Sequence, residues 1–194
     1  MGNRATGGVR WLAVAVALLS LPGCHKSEEP GTSEEILKSE NGFTMKIQMS
    51  IAGEPDAVYR TLTDFEHFPE FMPQCSSVEI VSREGNTVVV EIRRFVKFLG
   101  KNLVGTVEYE LHPNRISLRA LNHPLADFHE EWSLEPVNGG KETRVLYTAE
   151  STMKIPMPDY MCEAWLRDNF KETIAAVENR VLPSAPLLMT PRFR

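Results

Sequence analysis

Residues 54–81 read EPDAVYRTLTDFEHFPEFMPQCSSVEIV. Pro55 suits the first turn of a helix, because a proline lacks the N–H that would have no partner there. Apolar residues then recur at near-helical spacing as far as Phe65. A second short helix or turn is predicted over 66–72, and Pro73 ends it. From residue 77 apolar and polar side chains alternate, so the stretch predicts two short helices followed by a strand.

The alternation of a half-buried strand also occurs before and after this stretch. Residues 43–51 alternate strictly and predict one strand ahead of the helices. Six further strands are predicted over 77–83, 87–98, 101–111, 115–121, 127–135 and 143–153. Turn residues such as Gly85 and the pair Gly139-Gly140 separate them. We therefore expect seven strands, of which the last six form an antiparallel meander.

The longest predicted helix comes last. Residues 158–182 contain no glycine and, after Pro158, no proline. Their apolar stripe, at intervals of three and four residues, consists of Cys162, Leu166, Phe170, Thr173, Ile174, Val177 and Val181. This stripe would cover the apolar face of the sheet. The predicted class is α+β, a curved seven-stranded sheet around a long C-terminal helix, with an interior that need not be completely filled.

The first 23 residues differ in kind from the rest. They carry Arg4 and Arg10, no acidic residue, and an apolar run over 11–21. That run would span only about 16 Å as a helix, against ~30 Å for a membrane core, so it predicts an export signal. Leu21-Pro22-Gly23-Cys24 resembles the bacterial lipobox, which implies that Cys24 is lipidated and begins the mature protein. The alternative is an ordinary secretory signal, or a buried helix, with an incidental cysteine.

The segments on either side of the expected domain are polar or rich in proline. Residues 24–41 are predicted to form a flexible tether, because their Ser, Glu, Pro and Gly content cannot bury enough apolar surface to fold. His25 follows Cys24 where an Asp would favour the inner membrane, so the lipoprotein resemblance implies the periplasmic face of the outer membrane. The folded domain is expected over 42–182, and residues 183–194 are predicted to be disordered.

The charge of the chain excludes one class of function. With 21 Lys and Arg against 26 Asp and Glu the net charge is −5, and no basic tract is present. This argues against nucleic-acid binding, which needs a basic face to displace counterions. Removing residues 1–23 takes away two arginines and no acid, so the mature chain would carry −7. An acidic domain would not hold a membrane by charge, so the lipid on Cys24 would hold it.

The sequence contains no familiar catalytic or metal-binding motif. Its five histidines form no H-x-H or H-E-x-x-H pattern, and there is no G-x-S-x-G, P-loop or dinucleotide-binding glycine motif. We therefore predict no metal, no cofactor and no catalytic residue. Cys75 and Cys162 could pair in an oxidising compartment or remain separate thiols, and the sequence leaves both readings open.

Strand alternation predicts which side chains face the interior. The inward register is mostly aliphatic and aromatic, but it also contains Arg94 and Glu130. Because an unpaired buried charge is costly, we expect these two side chains to approach each other or to orient a polar ligand group together. The alternative is that either one lies near a strand end or a bulge and reaches solvent.

Two parts of the chain resemble a known superfamily. The residues concerned are Val58-Tyr59, Asp64-Phe65, Phe68-Pro69 and Phe71-Met72-Pro73, and later Phe128, 131–136 and 143–145. They are similar to the START-related helix-grip superfamily, and most of all to its polyketide cyclase and coenzyme Q-binding branch. The resemblance spans about 43–182. It implies a hydrophobic tunnel between sheet and C-terminal helix that holds a lipid, an isoprenoid quinone or a polyketide-like molecule.

The alternation and the resemblance together give a set of predicted ligand-binding residues. They are Phe65, Phe68, Phe71, Ile92, Arg94, Val107, Tyr109, Leu118, Glu130, Trp132, Tyr147, Leu166 and Phe170. The three phenylalanines at 65, 68 and 71, with Met72, either gate the tunnel or pack in the core. The expected function is to carry or sequester a hydrophobic small molecule at the cell envelope. The alternatives are a cyclase or dehydratase enzyme, and an interaction module whose own side chains fill the interior.

Overall fold

The computed structural model describes residues 32–40 and 42–182. The helices are α1 (Pro55–Leu62), α2 (Phe68–Phe71) and α3 (Asp159–Val181). The strands are β1 (Ser33–Lys38), β2 (Phe43–Ala52), β3 (Cys75–Glu84), β4 (Thr87–Val96), β5 (Lys101–His112), β6 (Arg115–Asn122), β7 (Ala126–Val137) and β8 (Glu142–Met153). The predicted signal peptide, the predicted lipidation site at Cys24 and the predicted disordered tail over 183–194 lie outside the described residues.

The strands form one antiparallel sheet in the order β1-β2-β8-β7-β6-β5-β4-β3. From β3 to β8 each strand pairs with the next along the chain, which confirms the predicted meander. β2 pairs with β8, so α1 and α2 carry the chain from β2 to the far edge of the sheet at β3. The two short helices therefore lie across the fold at the place where the quoted stretch predicts them.

The sheet has eight strands, one more than the sequence predicts. The tether predicted over 24–41 is wrong for 33–38, which form β1 and pair with β2 from Ser33 opposite Gln48 to Lys38 opposite Phe43. Ion pairs of Glu34 with Arg167 and of Lys38 with Asp159 also join β1 to α3. An edge strand gains its backbone hydrogen bonds from its neighbour and needs no apolar alternation. Its polar, mostly exposed sequence therefore gave no strand signal.

Helix α3 packs on the sheet through the predicted stripe. Cys162, Phe170, Ile174 and Val177 are buried, and Leu166 is half-buried at the same face. The helix runs from 159 to 181, within one residue of the prediction at each end. The predicted α+β class, with a sheet around a long C-terminal helix, is confirmed.

The join between β2 and α1 depends on a glycine. Gly53 has a φ of +153°, and a Cβ built on it would lie 2.2 Å from the Cγ1 atom of Val181 at the end of α3. Any side chain at this position would strain the backbone and collide with the helix. Gly53 thus lets the start of α1 and the end of α3 meet.

Candidate functional site

A cavity of about 210 Å³ lies between the sheet and α3. An engineered protein cavity of ~150 Å³ is large enough to bind benzene, so this one can take a molecule, or part of one, of somewhat larger size. The walls are mostly aliphatic and aromatic side chains from β2, β4 to β8 and α3. Apolar walls with a few polar groups are typical of small-molecule sites. The interior is therefore not filled by the protein's own side chains.

Eleven of the thirteen predicted ligand-binding residues line this cavity. They are Phe68, Ile92, Arg94, Val107, Tyr109, Leu118, Glu130, Trp132, Tyr147, Leu166 and Phe170. Strand alternation gave the correct face on β4 because the register between β4 and β5 is continuous. The bulges between β3 and β4 lie in β3, so Arg94 keeps the same face as Ile92. A further bulge lies between β5 and β6, where Thr106 faces Asn122 and Val107 faces Ala120. That these residues contact a ligand stays a prediction.

Phe65 and Phe71 do not line the cavity. Phe65 is 1% exposed, and its ring lies 5.3 Å from that of Phe68 and 4.6 Å from that of Tyr109, between centroids. Phe71 packs edge-to-face on Phe68 and lies beneath the guanidinium of Arg180, 4.5 Å away. Both rings support the wall from behind. Of the predicted gate, only Phe68 and Met72 reach the cavity.

Several polar lining residues were missed by the sequence analysis. They are Gln74, Cys75, His123, Ser151 and Asn169. Thr173, which the sequence places on the stripe of α3 without naming it as a binding residue, also lines the cavity. Asn169 had a usable signal, because it lies three residues after Leu166 and so falls on the inward stripe of α3. His123 had none, since it lies in the irregular link between β6 and β7. Alternation and helical spacing do not extend into such links.

Glu130 is the most perturbed acid of the cavity. It lies on β7 opposite Leu118 of β6 and Ala149 of β8, so apolar side chains flank it on both sides. Burial raises the pKa of its carboxyl group above the usual value. The Tyr147 hydroxyl, the charge of Arg94 and the indole N–H of Trp132 act in the opposite direction, but their effects are smaller. The accessible part of this side chain faces the cavity.

Arg94 enters the same cavity without meeting Glu130 directly. Within the described part of the chain these two side chains form no ion pair, although the charge of Arg94 acts to lower the pKa of Glu130. One guanidinium nitrogen of Arg94 instead donates to the carbonyl oxygen of Pro73 at 3.3 Å. The partner that Arg94 finds is a backbone carbonyl just before β3, which sequence alternation could not foresee. Joint orientation of a polar ligand group by Arg94 and Glu130 stays a prediction.

The other ionisable groups that line the cavity are held neutral. Burial raises the pKa of both Tyr109 and Tyr147. Burial also lowers the pKa of His123, whose Nδ1 atom accepts a hydrogen bond from the backbone N–H of Ala126 at 3.3 Å. The Cys75 thiol has a raised pKa, again mainly through burial. Arg94 and Glu130 are thus the one basic and the one acidic side chain in an otherwise uncharged lining.

An aromatic cluster forms the inner wall beside Glu130. The ring of Tyr147 lies 4.6 Å from Trp132 and 4.7 Å from Phe170, and Phe170 stacks on Trp132 at 5.8 Å, all between centroids. Trp132 and Tyr147 are register partners on β7 and β8, and Phe170 reaches them from α3. The cluster therefore joins the helix to the middle of the sheet and fixes the position of the Tyr147 hydroxyl.

The α1–α2 segment is fastened to the end of α3 on the outside. Asp64 forms a contact of 2.6 Å with Nδ1 of His67 and accepts a hydrogen bond of 3.1 Å from Arg180. Arg180 also lies 3.6 Å from a carboxylate oxygen of Glu70. Because Phe68 lines the cavity between these residues, this outer cluster holds one wall of the cavity in place.

We expect His67 to titrate above the ordinary pKa of histidine. The hydrogen bond and the negative charge of Asp64 both raise this pKa. Any stabilisation from the contact is therefore fully present below the unfolded pKa and is lost as pH rises through the folded one. NMR titration of the ring should show the raised midpoint, and Asp64→Asn should lower it. Asp56→Asn, an exposed change on α1, should leave it unchanged; an equal midpoint in all three proteins would contradict the contact.

Three features of the described residues bear on other functions. No group of three His, Cys, Asp or Glu side chains in residues 32–40 and 42–182 is arranged to hold a metal ion. Over the same residues no helix has the length and apolar character needed to cross a membrane. Cys75 and Cys162 are both free, the first half-buried and the second buried. Of the two readings for this pair, the structure supports separate thiols.

Solved structures share this fold. The Zhui aromatase/cyclase from Streptomyces sp. R1128 is 20% identical, with a TM-score of 0.63 over 71% of this chain and 92% of that one. A START superfamily protein from Mycobacterium smegmatis is 17% identical, with a TM-score of 0.64 over 71% and 96%. The STAR-related lipid transfer protein from Xanthomonas axonopodis is 13% identical, with a TM-score of 0.63 over 79% and 99%. These likenesses confirm the helix-grip fold.

The family is given by the sequence itself. No protein of curated function is significantly similar to the chain. Residues 51–178, about two thirds of the chain, match the family described as polyketide cyclase / dehydrase and lipid transport. The match runs from the end of β2 to the last turns of α3 and so contains most of the cavity wall. The chain belongs to the polyketide cyclase/dehydrase and lipid transport family.

Proposed function

We propose that the protein binds a hydrophobic small molecule in its cavity and carries or sequesters it at the cell envelope. The observation that carries this proposal is the apolar cavity of about 210 Å³ between the sheet and α3. Apolar surface removed from water contributes about 25 cal/mol per Å², so such walls favour a hydrophobic occupant. An interaction module with a filled interior would have no such space. A START superfamily protein and a protein named for lipid transfer have the same fold, which supports the proposal.

The place of action is proposed from the start of the sequence. A lipid on Cys24 would hold the domain at a membrane, and the position of His25 favours the outer membrane on its periplasmic side. Seven residues, 25–31, separate Cys24 from the first described residue at 32, and the eight steps between them limit the reach to roughly 30 Å at ~3.5 Å per residue. The domain would thus stay close to the bilayer that holds the lipid.

Labelling with a radioactive fatty acid tests the anchor. We expect the wild-type protein to incorporate label and Cys24→Ala to incorporate none. The exposed change Ser39→Ala serves as a control that should label normally. Equal labelling of wild type and Cys24→Ala would contradict lipidation at this residue.

The ligand itself is best sought in the protein as its own host makes it. Native mass spectrometry of the purified full chain should show an added mass that solvent extraction releases as a hydrophobic compound. Because a carrier does not change its ligand, the released compound should have the same mass as the compound that the protein took up. Protein that carries no compound, and that takes up none from an extract of the host's lipids, would contradict the proposal.

A second candidate function is an enzyme of the cyclase or dehydratase type. The observation that favours it is Glu130, whose raised pKa suits a carboxyl group that donates a proton, beside the Tyr147 hydroxyl. A relative of the same fold is named as an aromatase/cyclase. The two functions separate in the same experiment, because an enzyme would release a product of different mass, and Glu130→Gln would stop that conversion.

A further inference from the structure

Glu130 occupies the middle of the sheet's inner face. Its strand, β7, is the fourth of eight in the sheet, and its register partners are Leu118 and Ala149. Burying a carboxyl group among apolar side chains costs free energy unless hydrogen-bonding partners satisfy it. Among the described residues no positively charged group lies within ion-pair distance of it. The room left by the small side chain of Ala149, its register partner, is where a ligand group could supply a further partner beside Tyr147 and Trp132.

The balance of charge in the cavity argues for an uncharged ligand. With Glu130 ionised, this residue and Arg94 together contribute no net charge, and burial keeps His123, Tyr109 and Tyr147 neutral. A ligand carboxylate would face Glu130, and a ligand ammonium group would share the cavity with Arg94. Either ion would also lose its hydration on entering apolar walls. A neutral polar group avoids both costs.

The polar groups around Glu130 favour a group that both donates and accepts. Tyr147 offers a hydroxyl from the adjacent strand and interacts with Glu130. Ser151, two residues beyond Ala149, also lines the cavity, is 8% exposed, and has an Oγ atom with no hydrogen-bond partner among the described residues. A ligand hydroxyl can donate a hydrogen bond to one oxygen and accept one from another. It can therefore bond to Glu130 and Tyr147 whether the proton that these two share lies on the carboxyl group or on the tyrosine.

We propose that the ligand is uncharged and carries a hydroxyl group, which hydrogen-bonds to Glu130 and Tyr147 while its apolar part fills the remaining cavity. This inference rests on the proposed binding function and names the chemical class of its ligand. The cavity volume suits a body of about two fused rings, or an equivalent part of a larger molecule, since ~150 Å³ suffices for benzene. The hydroxyl would take a position in the cavity where apolar surface alone cannot satisfy the protein.

Three probes of matched shape test this class by competition binding to the purified full chain. They are 2-naphthol, 2-methylnaphthalene, in which a methyl group replaces the hydroxyl, and the anionic 2-naphthoate. In a purely apolar cavity the methyl compound would bind at least about tenfold more tightly, because the hydroxyl must leave water. We expect the wild-type protein to bind 2-naphthol at least as tightly as 2-methylnaphthalene. It should bind 2-naphthoate at least about tenfold more weakly than either.

Variants assign the preference to Glu130. Glu130→Leu should reverse it, so that 2-methylnaphthalene binds at least about tenfold more tightly than 2-naphthol. Tyr147→Phe, which removes only the hydroxyl, should weaken 2-naphthol about threefold or more and leave 2-methylnaphthalene unchanged. Glu131→Leu, the same change on the outer face of β7, should leave the wild-type preference intact, because that side chain pairs with Arg115 outside.

The possible results distinguish a failure of this inference from a failure of the proposed binding function. A wild-type protein that prefers 2-methylnaphthalene by tenfold, or 2-naphthoate over both, overturns the inference while the binding function stands. An unchanged preference in Glu130→Leu and Tyr147→Phe overturns the assigned residues. If none of the three probes binds, the proposed function fails together with the inference. The wild-type comparison decides even if Glu130→Leu does not fold.

Discussion

Phe170→Ala is expected to lower the free energy of unfolding by about 3–5 kcal/mol, the usual cost of removing a buried phenylalanine ring. The Phe170 ring is 7% exposed and is the part of α3 that reaches deepest into the aromatic cluster. It contacts both Trp132 and Tyr147, with centroids 5.8 Å and 4.7 Å away. Urea unfolding of the full chain, followed by the fluorescence of the tryptophans, measures the loss.

The size of this loss depends on the cavity beside the ring. A neighbouring space already lets atoms move, so the wall could relax into the gap and reduce the cost. We expect little relaxation, because the partner rings belong to the middle strands β7 and β8 and cannot follow the helix. Lys171→Ala, an exposed change one residue further along α3, should cost less than about 0.5 kcal/mol. A loss below about 1 kcal/mol for Phe170→Ala would show that the cluster does not join helix to sheet.

Most of the fold could be predicted because its signals are local. Alternation in residues 87–153 and the stripe on 158–182 each report one apolar face, and a face of that kind must be covered. β1 escaped prediction because its stability comes from pairing with β2 and from ion pairs to α3, which no local pattern shows. The boundaries of α3 were close to correct because proline precedes the helix and follows it.

The candidate site was predictable in composition but not in detail. The inward register correctly gave Arg94 and Glu130 a common cavity, since no bulge interrupts β4 against β5. It could not tell that Arg94 would turn toward the Pro73 carbonyl, because that choice depends on where the chain enters β3. The sequence analysis also grouped Phe65 and Phe71 with Phe68, although only the Phe68 ring lines the cavity. Such distinctions depend on helix orientation, which sequence spacing leaves free.

Ala149→Met is expected to weaken ligand binding by close to 100-fold while the protein stays folded. Ala149 is 5% exposed, lines the cavity, and lies opposite Glu130 and Met45. A methionine there extends a flexible chain into the space that the ligand would occupy, and its flexibility limits strain against the walls. Excluding about 100 Å² of ligand surface removes about 2.5 kcal/mol at ~25 cal/mol per Å². Affinity should fall close to 100-fold.

Competition binding of 2-methylnaphthalene measures this fall, because that probe depends on cavity volume alone. Ala175→Met, the same change on an exposed position of α3, should bind the probe as the wild type does. Urea unfolding should place both variants within about 3 kcal/mol of the wild type, the range that overpacking covers. If Ala149→Met keeps its affinity, the probe binds elsewhere and the cavity is not the site. If it loses affinity while Ala175→Met does not, the space between sheet and helix is itself the binding site, because the added side chain removes no polar group and changes only volume.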